Sequence, residues 1–230
     1  MKPLCVIPAR MGSQRLKRKN VLPLAGVPMI VHTIKAALSS GIFERVIVST
    51  EDDTIGDIAR RHGATAHPRP PALAGDLVSA TDVCLEVYEA RKSAGEEAGS
   101  LVCLQPTSPL RTGDDVARAY ERFVEAGADF LVSVTPIDPH YFHWALQQNG
   151  SWWEMSFGSK YLLERPLLPP RYRPNGAIKI GRIDPLLNLR NFFGPKLAAY
   201  EMPEERSIHV ATQTDLAFAE YLLLHSGRTS

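Results

Sequence analysis

Apolar residues along this 230-residue chain come in two rhythms that alternate. Short solid runs at 4–7, 45–49, 101–104 and 130–134 are too apolar to face water on either side, which is the pattern of strands buried in a parallel sheet. Between them lie segments whose apolar residues recur three and four positions apart, at 29–39 (Ile30, Ile34, Ala37, Leu38), 54–62, 79–92 and 113–125. These read as amphipathic helices. Glu51-Asp52-Asp53 opens the second helix with acids at the positive end of its dipole, and Gly63 stops it. Shorter strands follow at 64–67, 177–180 and 197–200, and a last helix at 215–225. Strands alternating with helices through short joints predict an α/β fold, a doubly wound and mostly parallel sheet.

The rhythm breaks between 136 and 170. His140, Tyr141, Phe142, His143, Trp144, Trp152, Trp153, Phe157 and Tyr161 crowd into a polar, glycine-punctuated stretch. So much aromatic surface outside regular structure needs a cover. The division expected is one α/β domain from 1–135 and 171–230, with 136–170 inserted, hairpin-like at 144–153, and packed on a second subunit. A lid folded on its own domain is the alternative.

Composition narrows the class. The hydrophobic fraction, 44%, is ordinary for a globular chain of this length. No stretch has the apolar length of a membrane span, and the start is too soon interrupted for a signal peptide. Three cysteines, Cys5, Cys84 and Cys103, fall in apolar patterns without metal-ligand spacing, so they read as buried thiols of a cytoplasmic protein. A net charge of +1 gives no bulk drive toward nucleic acid or an anionic membrane.

Candidate chemistry concentrates where the first strand ends. Pro8-Ala9-Arg10-Met11-Gly12-Ser13 runs into a loop bearing Arg15, Lys17, Arg18, Lys19 and Asn20. Open parallel sheets bind ligands at the carboxyl edge of their strands. A glycine there lets backbone N–H groups approach phosphate oxygens, and fixed cations neutralise them. The expectation is a polyphosphate site for a nucleoside triphosphate. The segment lacks the second glycine and Lys-Ser/Thr pair of a Walker loop, and it is not the Gly-x-Gly-x-x-Gly of dinucleotide sites.

The segment does resemble the Pro-Ala-Arg-x-Gly-Ser signature, ending in Lys-Asn, of sugar-activating nucleotidyltransferases. Gln105-Pro106-Thr107-Ser108-Pro109 and Arg173-Pro174-Asn175-Gly176-Ala177-Ile178 match two further motifs, in order, of the acylneuraminate cytidylyltransferase family. The resemblance implies a Rossmann-like nucleotidyltransferase in which a sugar hydroxyl attacks the α-phosphorus of CTP and expels pyrophosphate. It implies Arg10, Lys19 and Asn20 as the catalytic phosphate contacts, with Gly12, Ser13, Arg69 and Ser79 completing the nucleotide site. It implies Gln105, Thr107, Ser108, Arg165, Arg173, Asn175, Phe192 and Phe193 around a carboxylated nine-carbon sugar, and a homodimer clasped through the inserted segment.

Two departures stand out. Relatives end on a motif whose first two aspartates hold the metal, and His209 and Ala211 occupy those positions here. Hard Mg²⁺ prefers oxygen ligands, so Mg²⁺ is expected to arrive with CTP rather than on a protein site. Asp215 survives and reads as a helix N-terminal residue. Gln14 and His143 also replace lysines common among sialate enzymes. The alternatives are a Kdo-type synthetase, against which the Gln-Pro-Thr-Ser-Pro loop argues, and a catalytically weakened paralogue that binds nucleotide or sugar.

Overall fold

The computed structural model describes residues 2–225. Along it run β1 (Leu4–Pro8), the two-residue strands β2 (Pro23–Leu24) and β3 (Val27–Pro28), α1 (Met29–Ser39), β4 (Val46–Thr50), α2 (Asp53–Arg61) and β5 (Thr65–Pro68). Then come α3 (Ala80–Ser93), β6 (Ser100–Cys103), α4 (Gly113–Glu125), β7 (Phe130–Ile137), α5 (Pro139–His143), and the hairpin strands β8 (Leu146–Asn149) and β9 (Trp152–Met155). The chain ends with β10 (Arg171–Arg182), α6 (Ile183–Leu189), β11 (Leu197–Glu201) and α7 (Gln213–His225).

Seven strands form one sheet in the order β11-β7-β10-β6-β1-β4-β5. Alternate residues of its central strands serve two different cores, because successive side chains leave a strand on opposite faces. Cys5 and Ile7 of β1, Val46 and Val48 of β4, and Val102 of β6 meet α1, α2 and α4 on one face. Leu4, Val6, Ile47, Leu101 and Cys103 meet α3 and α6 on the other. That double coverage is why these strands read as unbroken apolar runs. The three cysteines are free and buried. Among the described residues no helix is long and apolar enough to cross a membrane.

One strand departs from the expected pattern. The sequence predicted a short strand at 177–180, but β10 extends from Arg171 to Arg182 and runs antiparallel to both β6 and β7. Its register shifts between Pro174 and Lys179. The opposite direction brings residues 173–176 to the carboxyl edge of β6. Segment 138–170 leaves the sheet after β7 and returns at β10, carrying α5 and the β8–β9 hairpin.

Asp115 ties α4 to the chain's end. Its carboxylate accepts from Thr112 N (2.9 Å) in a capping box, from Arg206 Nη2 (2.8 Å) and from Tyr200 Oη (3.2 Å). Burial pushes its pKa up, but the Arg206 guanidinium and the Thr112 donors outweigh burial and hold it below the usual carboxylate value. A depressed carboxyl stabilises the fold above its unfolded pKa, near 4, and loses that contribution as pH falls through the folded value. Asp115→Asn should therefore cost about 2–3 kcal/mol at pH 7, the range of a charge-assisted hydrogen bond. Urea unfolding at pH 7 and in strong acid tests this: a wild-type advantage that persists unchanged in acid would disprove the linkage.

Candidate active site

The loop leaving β1 is folded back on itself rather than spread in solvent. Asn20, 7% exposed, donates Nδ2–H to the Arg10 carbonyl at 2.8 Å and so closes the loop. Met11 N–H donates to Glu51 Oε1 at 2.7 Å, anchoring the loop beside the end of β4. Arg10, Gly12, Ser13, Lys19 and Asn20 line one face of a cleft of ≈ 280 Å³. Arg15, Lys17 and Arg18 are exposed at its rim.

The opposite walls come from three other loops. Arg69, 6% exposed, is not a free surface arginine. It donates Nη2–H to the Ser49 carbonyl at 2.7 Å and lines the cleft beside Leu73, Gly75 and Ala80. Asp76, on the same loop, pairs with Arg10 and accepts from Gln14 Nε2 at 2.9 Å. Gln105, Pro106 and Thr107 close the far side together with His209.

Arg111 supports that far side from beneath. Its guanidinium, 3% exposed, donates to the Ala177 carbonyl, to Thr33 Oγ1 (2.5 Å) and to the Gln105 carbonyl (2.8 Å). One side chain thus joins α1, β10 and the Gln105 loop. Desolvation brings its pKa down to about 10.

Gly176 has φ +75°, a left-handed conformation that suits glycine, and the space over it is shared. A Cβ there would lie 3.4 Å from Gln105 Oε1, 3.6 Å from His209 Nδ1 and 4.0 Å from Ser108 Oγ. Asn175, 2% exposed, holds the turn: its Oδ1 accepts from Ser133 Oγ and Ala177 N, and its Nδ2 donates to Ser207 Oγ at 2.9 Å.

Positive charge gathers in the cleft, with Asp76 paired to Arg10 at its edge. Desolvation by its walls, then the cations Arg15 and Arg10, hold the Lys19 ammonium below its ordinary pKa, with Asp215 opposing weakly. Desolvation and then Lys19 and Arg15 do the same to His209, against Asp215 and with Arg173 adding to the effect. Each shift reports first the cost of burying a charge and then the repulsion of neighbouring cations.

The structure therefore brings Arg10, Gly12, Ser13, Lys19, Asn20, Arg69, Gln105 and Thr107 to one cleft. The other expected contacts are not in that lining. Phe192 is 1% exposed in the α3/α6 core with Phe130 and Leu186, too deep to flank a sugar, whereas Phe193 is exposed with Lys179 Nζ 5.9 Å from its ring centroid. Ser79 spends its hydroxyl capping α3, accepting from Asp82 N at 3.1 Å and donating to Asp82 Oδ2 at 2.7 Å. Ser108 and Asn175 are buried framework, and Ser108 Oγ donates to the Asn175 carbonyl at 3.4 Å. Arg173 is exposed and lines a neighbouring hollow with Glu204, Glu205 and Phe218. Arg165 falls in a 3-10 turn (Arg165–Leu167), and its side chain lies outside the described residues. His143 sits in α5, away from the cleft lining. Sequence reasoning missed Asp76 as the partner of Arg10, and took His209 only as a lost aspartate.

The donor set does not suit a protein-held Mg²⁺. Ala211 offers a methyl group, and Asp215 Oδ2 is occupied by the backbone N–H groups of Ala211 (2.9 Å) and Thr212 (2.8 Å) at the start of α7. None of the residues lining the cleft is an aspartate or glutamate. Mg²⁺ asks for oxygen ligands in octahedral array and is not served by one imidazole.

A family model described as cytidylyltransferase matches residues 4–155. The chain belongs to the cytidylyltransferase family. It is 35% identical over 217 residues to the N-acylneuraminate cytidylyltransferase of Streptococcus agalactiae serotype III (strain NEM316), covering 94% of this chain and 52% of that protein. It thus spans about half the length of the first curated relatives it matches. It is 33% identical over 225 residues to the pseudaminic acid cytidylyltransferase of Campylobacter jejuni subsp. jejuni serotype O:2 (strain ATCC 700819 / NCTC 11168), covering 96% of each. Among solved structures, CMP:2-keto-3-deoxy-manno-octonic acid synthetase complexed with CTP superposes with a TM-score of 0.75 at 21% identity, covering 98% of this chain and 100% of that one. At that identity the likeness speaks for the cytidylyltransferase fold alone.

Proposed function

We propose that this cytidylyltransferase transfers CMP from CTP to the anomeric hydroxyl of a nonulosonic acid. The observation that carries the reading is the cleft itself: Arg10 and Lys19 of the β1 loop share one lining with Gln105, Thr107 and His209. The hydroxyl oxygen forms a bond to the α-phosphorus, the bond from that phosphorus to the bridging oxygen breaks, and pyrophosphate leaves with the electron pair. Arg10 and Lys19 neutralise the charge that builds on the phosphates, and the Gly12 and Ser13 backbone approaches them closely. Arg69 and the loop carrying Leu73 and Gly75 form the wall available to the cytosine. Gln105 and Thr107 orient the sugar, and Arg173, a planar fork, is suited to its carboxylate. The nucleotide substrate is the magnesium complex of CTP, with the metal brought by the triphosphate. Family membership and the relatives named for nonulosonic acids support the assignment.

Two measurements test it. Pyrophosphate release should be seen with CTP, Mg²⁺ and one member of a panel of sialic, pseudaminic, legionaminic and Kdo acids. Release with no sugar, or with Kdo alone, would reject the nonulosonate assignment. Arg10→Ala should weaken CTP binding by about 1.5–3 kcal/mol by calorimetry, with the melting temperature little changed. The Arg10–Asp76 pair is exposed and contributes little to the fold. Unchanged affinity in a folded Arg10→Ala protein would remove Arg10 from the phosphate site.

A further inference from the structure

We propose that His209 is the general base that removes the proton from the attacking sugar hydroxyl, an assignment that rests on the transferase reading above. The nucleophile must lose a proton as its oxygen bonds to phosphorus, and the cleft has few groups able to take it. Its lining carries no carboxylate, and Asp76 beside it is engaged by Arg10 and Gln14. Arg10, Lys19 and Arg69 are the cations, and Ser13, Asn20, Gln105 and Thr107 are not bases at neutral pH. His209 is the remaining candidate among those lining side chains.

Position supports the role. His209 belongs to the cleft lining and stands where its two halves join. On the sugar side, its Nδ1 is 3.3 Å from Thr107 Oγ1, and with Gln105 Oε1 it closes over Gly176. On the phosphate side, Lys19 and Arg15 are close enough to act on its charge. A hydroxyl that must touch both sugar-orienting groups and the α-phosphorus has to lie at that seam.

The backbone fixes the ring there. Val210 N–H donates to the Thr107 carbonyl at 2.7 Å, and Ser207, buried, is held by Asn175. We assign Nε2 as the protonated nitrogen of the neutral ring, which leaves Nδ1, beside Thr107 Oγ1, as the basic atom. That nitrogen takes the hydroxyl proton, the oxygen pair forms the bond to phosphorus, pyrophosphate departs, and the imidazolium then releases its proton to water. The groups that face the ring are Thr107, Lys19, Arg15, Arg173 and Asp215. Asp215 Oδ2 is taken up by backbone N–H groups, and the carboxylate's pull on the ring is outweighed by desolvation and the cations. Desolvation and the surrounding cations keep the ring below its ordinary pKa, so it meets substrate unprotonated.

The experiment compares the full chain with His209→Gln and His209→Ala, using CTP and whichever sugar acid the wild type accepts. kcat should fall on the order of 10²–10⁴-fold in both variants, the usual share of a general base. CTP affinity, measured by calorimetry, should stay within about twofold, because the group acts on the nucleophile rather than the nucleotide. The acid limb of the wild-type kcat/KM profile should be absent from His209→Gln. Added imidazole should restore turnover to His209→Ala in proportion to its free-base fraction. A structural role for the ring would give neither the lost limb nor the rescue.

Wild-type kcat with an unchanged acid limb in His209→Gln overturns the inference and leaves the transferase reading standing. So does a variant that differs only in the Mg²⁺ concentration it needs. A wild type that releases no pyrophosphate with any sugar overturns both. If either variant fails to fold, the wild-type profile still decides, because an active wild type lacking any acid limb contradicts a titrating base.

Discussion

Arg111→Met should lower the unfolding free energy by roughly 3–5 kcal/mol, the largest effect expected from a single side chain outside the hydrophobic core. Its three acceptors, the Ala177 and Gln105 carbonyls and Thr33 Oγ1, would lose their donor in a buried place, at about 1–3 kcal/mol for each group left unsatisfied. Removing a desolvated cation returns part of that cost, which keeps the total below the simple sum. Arg111→Lys should recover little, because an ammonium cannot reproduce the planar fork that reaches α1, β10 and the Gln105 loop together. Thermal melts should show the drop, and surviving folded Arg111→Met should be damaged more in sugar use than in CTP binding. A loss under 1 kcal/mol would mean that water replaces the guanidinium without difficulty.

The second large effect concerns the segment that leaves the sheet after β7. Trp152 and Trp153 are neighbours on β9, so they point to opposite faces of the hairpin, yet they are 79% and 64% exposed. A two-stranded hairpin with neither face covered is marginal in water. Tyr141, Leu162 and Leu167 extend the apolar surface around it. A second copy of this chain is the proposed cover, since an isologous contact lets one patch bury its own equivalent. Sedimentation at micromolar concentration should show a dimer. Trp152→Asp with Trp153→Asp should dissociate it, because a hot-spot tryptophan is worth roughly 2 kcal/mol or more and a twofold axis applies each loss twice. A monomeric wild type would leave the segment as a lid.

Legibility in the sequence follows from how local each cause is. The bounds of α1 and α4 are as expected from the sequence, and α4 owes this to the Thr112–Asp115 capping box before it. The central strands were legible because both of their faces are buried. The direction of β10 was not, since an apolar run carries no arrow, and Arg171 to Asn175 reads as polar loop. Pro185 hid α6, although it lies in the helix's first turn, where a missing N–H costs little. Within the site, the β1 loop was legible from glycine and charge in one short stretch. The meeting of Thr107 with His209, 102 residues apart, depends on tertiary structure, and so do the Arg10–Asp76 pair and the burial of Phe192 beside an exposed Phe193.

The reversed strand has a consequence for how such a chain can change. The proposed nucleotide wall is drawn from the end of β1 and the loops between residues 8 and 83, all within the first half of the sequence. The proposed sugar side rests on the turn at Asn175 and Gly176 and the segment reaching His209, in the last quarter. The Gln105 loop and His209 meet both. Selection acting on one ligand therefore works largely on residues that leave the other undisturbed, and β10 is the graft point. Exchanging the stretch from β10 to β11, short of His209, is the natural unit for re-targeting the acceptor while the donor-side residues stay in place.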